Sequence, residues 1–143
     1  MHVMELFNGP VPYKWKRENN DWIATFLVQD KEFESSFSAR FGFEKPEYIF
    51  AFEYLDADDT HANTGQGNEF TVFATVIKQL KEFLAKKKPQ AIEFYGDKSD
   101  GKGKLYDFMI KRMRGDAAAL GYTVVKSDSA HEAAKVYRIE KVG

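Results

Sequence analysis

Two hydrophobic rhythms divide this chain. From residue 11 to residue 55 the dominant period is two. Phe33, Ser35, Phe37, Ala39 and Phe41 share one face, with Glu34, Ser36, Ser38 and Arg40 on the other. Strands are predicted over 11–15, 22–28, from Phe33 onward, and over 47–55. The breaks between them are rich in turn residues: Asn8-Gly9-Pro10, 17–21, Gln29-Asp30-Lys31 and 42–46. In the fourth strand, Tyr48, Phe50, Phe52 and Tyr54 oppose Ile49, Ala51, Glu53 and Leu55. Both faces are mostly apolar, so this strand is expected near the sheet centre and covered on each side.

The rhythm lengthens after Gly67. Phe70, Phe73, Val76, Ile77, Leu80, Phe83 and Leu84 recur at spacings of three and four, the signature of a helix with one buried stripe. Thr64 or Asn68 can cap its start, Lys86-Lys87-Lys88 suits its negative end, and Pro89 stops it. A compact strand over 91–95 follows, and a strand–helix–strand order predicts local parallel pairing. A second helix starts near Lys104, burying Leu105, Phe108, Met109 and Met113, and continues through 116–120 until Gly121 ends it. Strands over 122–126 and 135–141, with Val136 and Arg138 opposite in facing to Tyr137 and Ile139, form an antiparallel terminal hairpin. The expected fold is a single α/β (mixed α+β) domain over residues 1–143. Its one mixed, mostly antiparallel sheet has six to seven strands in the order β1-β2-β3-β4-α-β5-α-β6-β7, flanked by two main helices.

Composition narrows the class. The chain has 143 residues, enough for one core, and its thirteen Phe, seven Tyr and two Trp argue against disorder. Its 21 basic and 22 acidic residues leave a formal net charge of -1, so attraction to nucleic acid must be local. Cysteine is absent, which removes thiolate nucleophiles and disulfides. No segment approaches the about 18 apolar residues of a membrane span, and the first residues lack the pattern of a signal peptide. A cytoplasmic protein without membrane partners is expected.

The candidate chemistry gathers around residues 64–67, where Thr-Gly-Gln-Gly runs into the first helix. Backbone amides at such a turn, with the positive end of the helix dipole, suit an anion. The plainer reading is a sharp corner that uses glycine's access to positive φ. Asp56, Asp58, Asp59 and His61 precede it, but no second histidine or ligand spacing accompanies them. We read that stretch as a solvated loop and expect no metal.

The order of elements resembles the acetyl-coenzyme A dependent N-acetyltransferases. In that family the fourth strand leads into a glycine-containing turn that holds the cofactor pyrophosphate, which is where Gly65, Gln66 and Gly67 stand. Leu105-Tyr106 is similar to the family's leucine–tyrosine pair, and Gly121-Tyr122 to its glycine–aromatic pair. The general look of the chain is also similar to small uncharacterised proteins of tailed bacteriophages, which would place it in a host cytoplasm.

The resemblance implies acetyl-coenzyme A on the amides of Gly65, Gln66, Gly67 and Asn68, with Lys102 or Lys104 at another phosphate. A substrate amine would then attack the thioester. Glu53 is the candidate base, because an acid on a central strand can be partly buried and raised in pKa; the alternative is an edge-facing or paired carboxylate. Tyr106 is the candidate donor to the thiolate, or a helix tyrosine with its hydroxyl at the surface. His61 is the candidate proton carrier. The competing expectations are an interaction protein with a phage or host protein partner, and a nucleic-acid-associated protein that uses the basic residues of 102–114.

Overall fold

The computed structural model describes residues 9–41, 45–55, 69–97, 102–128 and 134–142. Its elements are β1 (Tyr13–Glu18), β2 (Asp21–Val28), β3 (Lys31–Arg40), β4 (Glu47–Tyr54), α1 (Glu69–Lys87), β5 (Ala91–Asp97), α2 (Lys102–Ala119), β6 (Tyr122–Asp128) and β7 (Ala134–Lys141). They form one sheet in the spatial order β1-β2-β3-β4-β5-β7-β6. The mixed α+β class, the seven-strand sheet and the two helices are therefore as the sequence predicts. The first strand begins later than its apolar residues suggest, because Val11 is instead tied to α1 by donating its backbone N–H to Thr75 Oγ1 at 3.0 Å.

The N-terminal half is an antiparallel meander, β1 to β4. β4 pairs with β5 in parallel, and β5 pairs with β7 antiparallel. The terminal hairpin is also antiparallel, as expected. Register puts Phe26 opposite Phe33 and Phe37 opposite Phe50, then Tyr48 beside Ile92 and Phe94 opposite Tyr137. This row of large side chains makes one apolar face across the sheet. Val72, Val76, Leu80, Phe83 and Leu84 of α1 and Met109, Ile110, Met113 and Ala117 of α2 are buried in the same core.

The two helices lie on one face. They meet through Phe73 and Phe108, whose ring centroids are 5.5 Å apart, and Phe83 stacks on Phe37 at 4.2 Å. The expectation that β4 is covered on both sides is thus corrected. Ala51 and Glu53 are exposed on the face that carries no helix, while Phe50 and Phe52 are buried on the other. Both faces of β4 read as apolar because a mid-sheet strand can carry small or aliphatic residues that neighbouring strands shield in part.

The β2–β3 hairpin closes through Gln29 and Asp30, at φ 51° and 66°. A two-residue loop with both centres at positive φ matches the strand twist but favours Asn-Gly over these residues. Replacing Gln29-Asp30 by Asn-Gly is expected to stabilise the fold by about 1 kcal/mol, read as a rise in Tm.

Candidate functional site

The parallel pair is where the sheet changes its course. Strands before β4 are added on one side, and strands after β5 on the other. Where two parallel strands part, the facing backbone edges beyond their last shared pair offer a place for an extended ligand. Among the described residues, ladder pairs join the strands only from Glu47–Ala91 to Ile49–Glu93. Past them β4 runs on to Tyr54 and β5 to Asp97, each still paired to its outer neighbour. The inner edges of both strands therefore carry backbone groups outside any ladder, at the end of the sheet from which the connection to α1 departs.

Large side chains floor this region from the helix side. The rings of Phe50 and Phe94 meet edge to face at 5.8 Å, and Phe94 stacks on Tyr137 at 5.2 Å. Tyr137 is fully buried and donates its phenol O–H to Asp107 Oδ1 at 2.8 Å. Asp107 follows Tyr106 in α2, so the helix that carries the candidate thiolate donor is fastened to β7. Sequence reasoning missed this pair. Alternation put Tyr137 inward, but nothing local assigned it a partner thirty residues away.

At the opposite, amino end of β4 and β5, the helix-free face holds a charged clamp. Arg138 on β7 donates both terminal nitrogens to Glu47 of β4, at 3.1 and 3.0 Å, and one of them also to Glu93 of β5 at 3.0 Å. Its Nε donates to Glu140 at 2.5 Å, and Arg40 of β3 reaches Glu93 at 3.3 Å. The Glu47 side chain is 8% exposed and that of Arg138 26%. Hydrogen bonding to Glu47, then to Glu140 and Glu93, raises the guanidinium's pKa further, against the lowering effect of burial. The fork joins three strands where the parallel ladder exists.

Glu53, the candidate base, is exposed on β4 rather than partly buried, and its cross-strand partner is Glu34. Glu34 has a raised pKa. Burial is the main cause, followed by the charges of Glu53, Glu18 and Glu32, with Lys16 opposing. A sequence signal existed, since Glu34 and Glu53 both point away from the aromatic face, but only the register sets them opposite each other. His61, Gly65, Gln66, Gly67 and Asn68, and the side chains of Lys102, Lys104 and Tyr106, lie outside the described residues, as do Asp56, Asp58 and Asp59. The basic side of α2 is exposed at Lys111, Arg112 and Arg114. No described helix is long and apolar enough to cross a membrane.

No protein-family model matches the chain, and no curated protein is significantly similar to it.

Arg138→Met leaves Glu47 charged and desolvated, so a loss of about 3 kcal/mol is expected, measured as a lowered urea midpoint. Glu34 gives a pH signature. Its proton is held more tightly in the folded state, so stability falls as pH rises through its folded-state pKa. Glu34→Gln is expected to be more stable than the wild type at pH 7 by about 0.2–1 kcal/mol, a solvent-screened gain that disappears below about pH 4. Urea titrations at both pH values check it.

Proposed function

We propose that this chain binds an acyl-coenzyme A, in the first instance acetyl-coenzyme A, in the crevice beyond β4 and β5, as an N-acyltransferase or a relative that keeps the fold without the activity. The observation that carries the reading is the parallel ladder that ends at Ile49 and Glu93 while both strands continue, with α1 following β4. Backbone groups on facing strand edges beyond the parallel ladder can pair with the amides of an extended pantetheine-like arm. The glycine turn before α1 then offers its amides to phosphate.

In this reading the amides of Gly65, Gln66, Gly67 and Asn68 hold the pyrophosphate, and Lys102 or Lys104 pairs with a further phosphate. When bound, the thioester supplies an activated acyl carbon for an amine of a small molecule or protein. Glu53 takes the amine proton, directly or through water, and His61 relays it. Tyr106 would hold a phenolic proton available to the sulfur of a bound thioester. The exposure of Glu53 suits a base that must return its proton to solvent. Glu34 opposite it keeps a second carboxyl beside that path.

Isothermal titration with acetyl-coenzyme A tests the reading. Saturable binding is expected for the wild type, and its loss is expected in Gly67→Leu with an unchanged far-ultraviolet dichroism spectrum. Absence of binding at about 1 mM ligand would overturn it.

A further inference from the structure

A concave site lies near the C-terminal end of α1. A cleft of about 180 Å³ opens between the β1–β2 hairpin and the last turns of the helix, lined by Trp15, Trp22, Glu82, Phe83, Lys86 and Lys87. A helix of 19 residues spans about 28 Å, so this cleft is well separated from the start of the helix, where the coenzyme is proposed to bind. One wall is packed and hydrogen-bonded. Trp15 packs against Phe37 at 5.7 Å and Phe83 at 6.2 Å, and its indole N–H donates to Glu82. Tyr13 donates its O–H to the other oxygen of Glu82 at 3.2 Å. Burial, then the Glu82 carboxylate, pushes the Tyr13 phenol up to about 12, so it remains a donor.

The charge at the cleft decides what fits. The Lys87 ammonium sits 3.8 Å from the centroid of Trp22, and the Arg17 guanidinium 5.5 Å from the same ring. Glu82 already accepts from Trp15 and Tyr13 and lies 3.9 Å from Lys86. A cationic guest would meet Lys86, Lys87 and Arg17 with the one lining carboxylate already engaged. A guest with an aromatic ring and an acid group instead finds an apolar wall of indole, and exposed lysine side chains for its charge once Lys87 moves off the Trp22 ring to the acid group. The volume is right for one ring, since a cavity of about 150 Å³ holds benzene. The acid group would lie at the mouth, where the Lys86 side chain is 71% exposed.

We propose that the Trp15–Trp22 cleft binds a small planar aromatic anion, with the ring against the indoles and the acid group on Lys86 and Lys87. The site is independent of the coenzyme reading. It has its own reporter, because the chain contains two Trp and both line the cleft.

Tryptophan fluorescence titrations of the full chain test it, with uridine 5′-monophosphate and benzoate as the anionic probes. Uridine, benzyl alcohol and benzyltrimethylammonium serve as neutral and cationic counterparts. Saturable quenching is expected for at least one anion, with its neutral counterpart about tenfold weaker. Which anion binds more tightly separates a nucleotide from an aromatic acid as the natural class. Lys86→Gln with Lys87→Gln, both on exposed positions, is expected to erase the anion's advantage while leaving acetyl-coenzyme A affinity unchanged. Trp22→Phe is expected to retain binding, and Gly67→Leu to leave it unaffected. Lack of saturation by either anion up to about 10 mM overturns the proposal. So does tighter binding of the quaternary ammonium, or an undiminished anion preference in the double lysine variant.

Discussion

The sheet depends on the joint between β4 and β5. Here two halves of the chain meet through a parallel ladder that ends at Ile49 and Glu93. A short parallel ladder is a weak joint by itself, and Arg138 reinforces it by reaching from β7 across β5 to β4. Because both partners are largely withdrawn from water, the clamp is worth most as a matched set. It fixes which ends of the strands are held together. The opposite ends are then free to be joined by other means, and that is the geometry a ligand crevice requires.

Asymmetry of the two faces follows from the same arrangement. One face carries the aromatic row from Phe26 to Tyr137 and takes both helices. The other carries the clamp at one end and Glu34 with Glu53 at the other. Charged groups tolerate that face because it meets solvent, and their arrangement is not uniform. Opposite charges gather where the strands must be held, and like charges face each other where the proposed proton path would run.

Much of this architecture was legible in the chain. The period-two segments, the stripe on α1 and the opposite facing of Arg138 and Tyr137 all survive in the structure, because each depends on local geometry. What was not legible depends on long-range pairing. The burial of Thr71, Thr75 and Gln79 beside the α1 stripe arises where polar positions of the helix face the interior, one of them meeting the backbone of Val11. The Trp15–Glu82 contact joins positions 67 residues apart. Likewise, Ile49 and Ala51 look like core residues in sequence, but only the placement of both helices on one face decides that Ala51 is exposed. Of the candidate site, Glu53 was placed on the correct strand, but its exposure and its carboxylate neighbour came from register alone.

The joint also has a kinetic meaning. Residues of β1 to β4 pair with immediate neighbours in sequence, and β6 with β7 likewise, so the meander and the terminal hairpin can each gain structure through short loop closures. Bringing β5 alongside β4 and β7 instead requires closure over the segments that contain α1 on one side and α2 with β6 on the other. Insertion of β5 is then the entropically demanding part of the topology, and the guanidinium fork, which spans β4, β5 and β7, needs all three strands in place. A residue late in the chain, Arg138, thereby acts as a latch on a meander that was finished some eighty positions earlier.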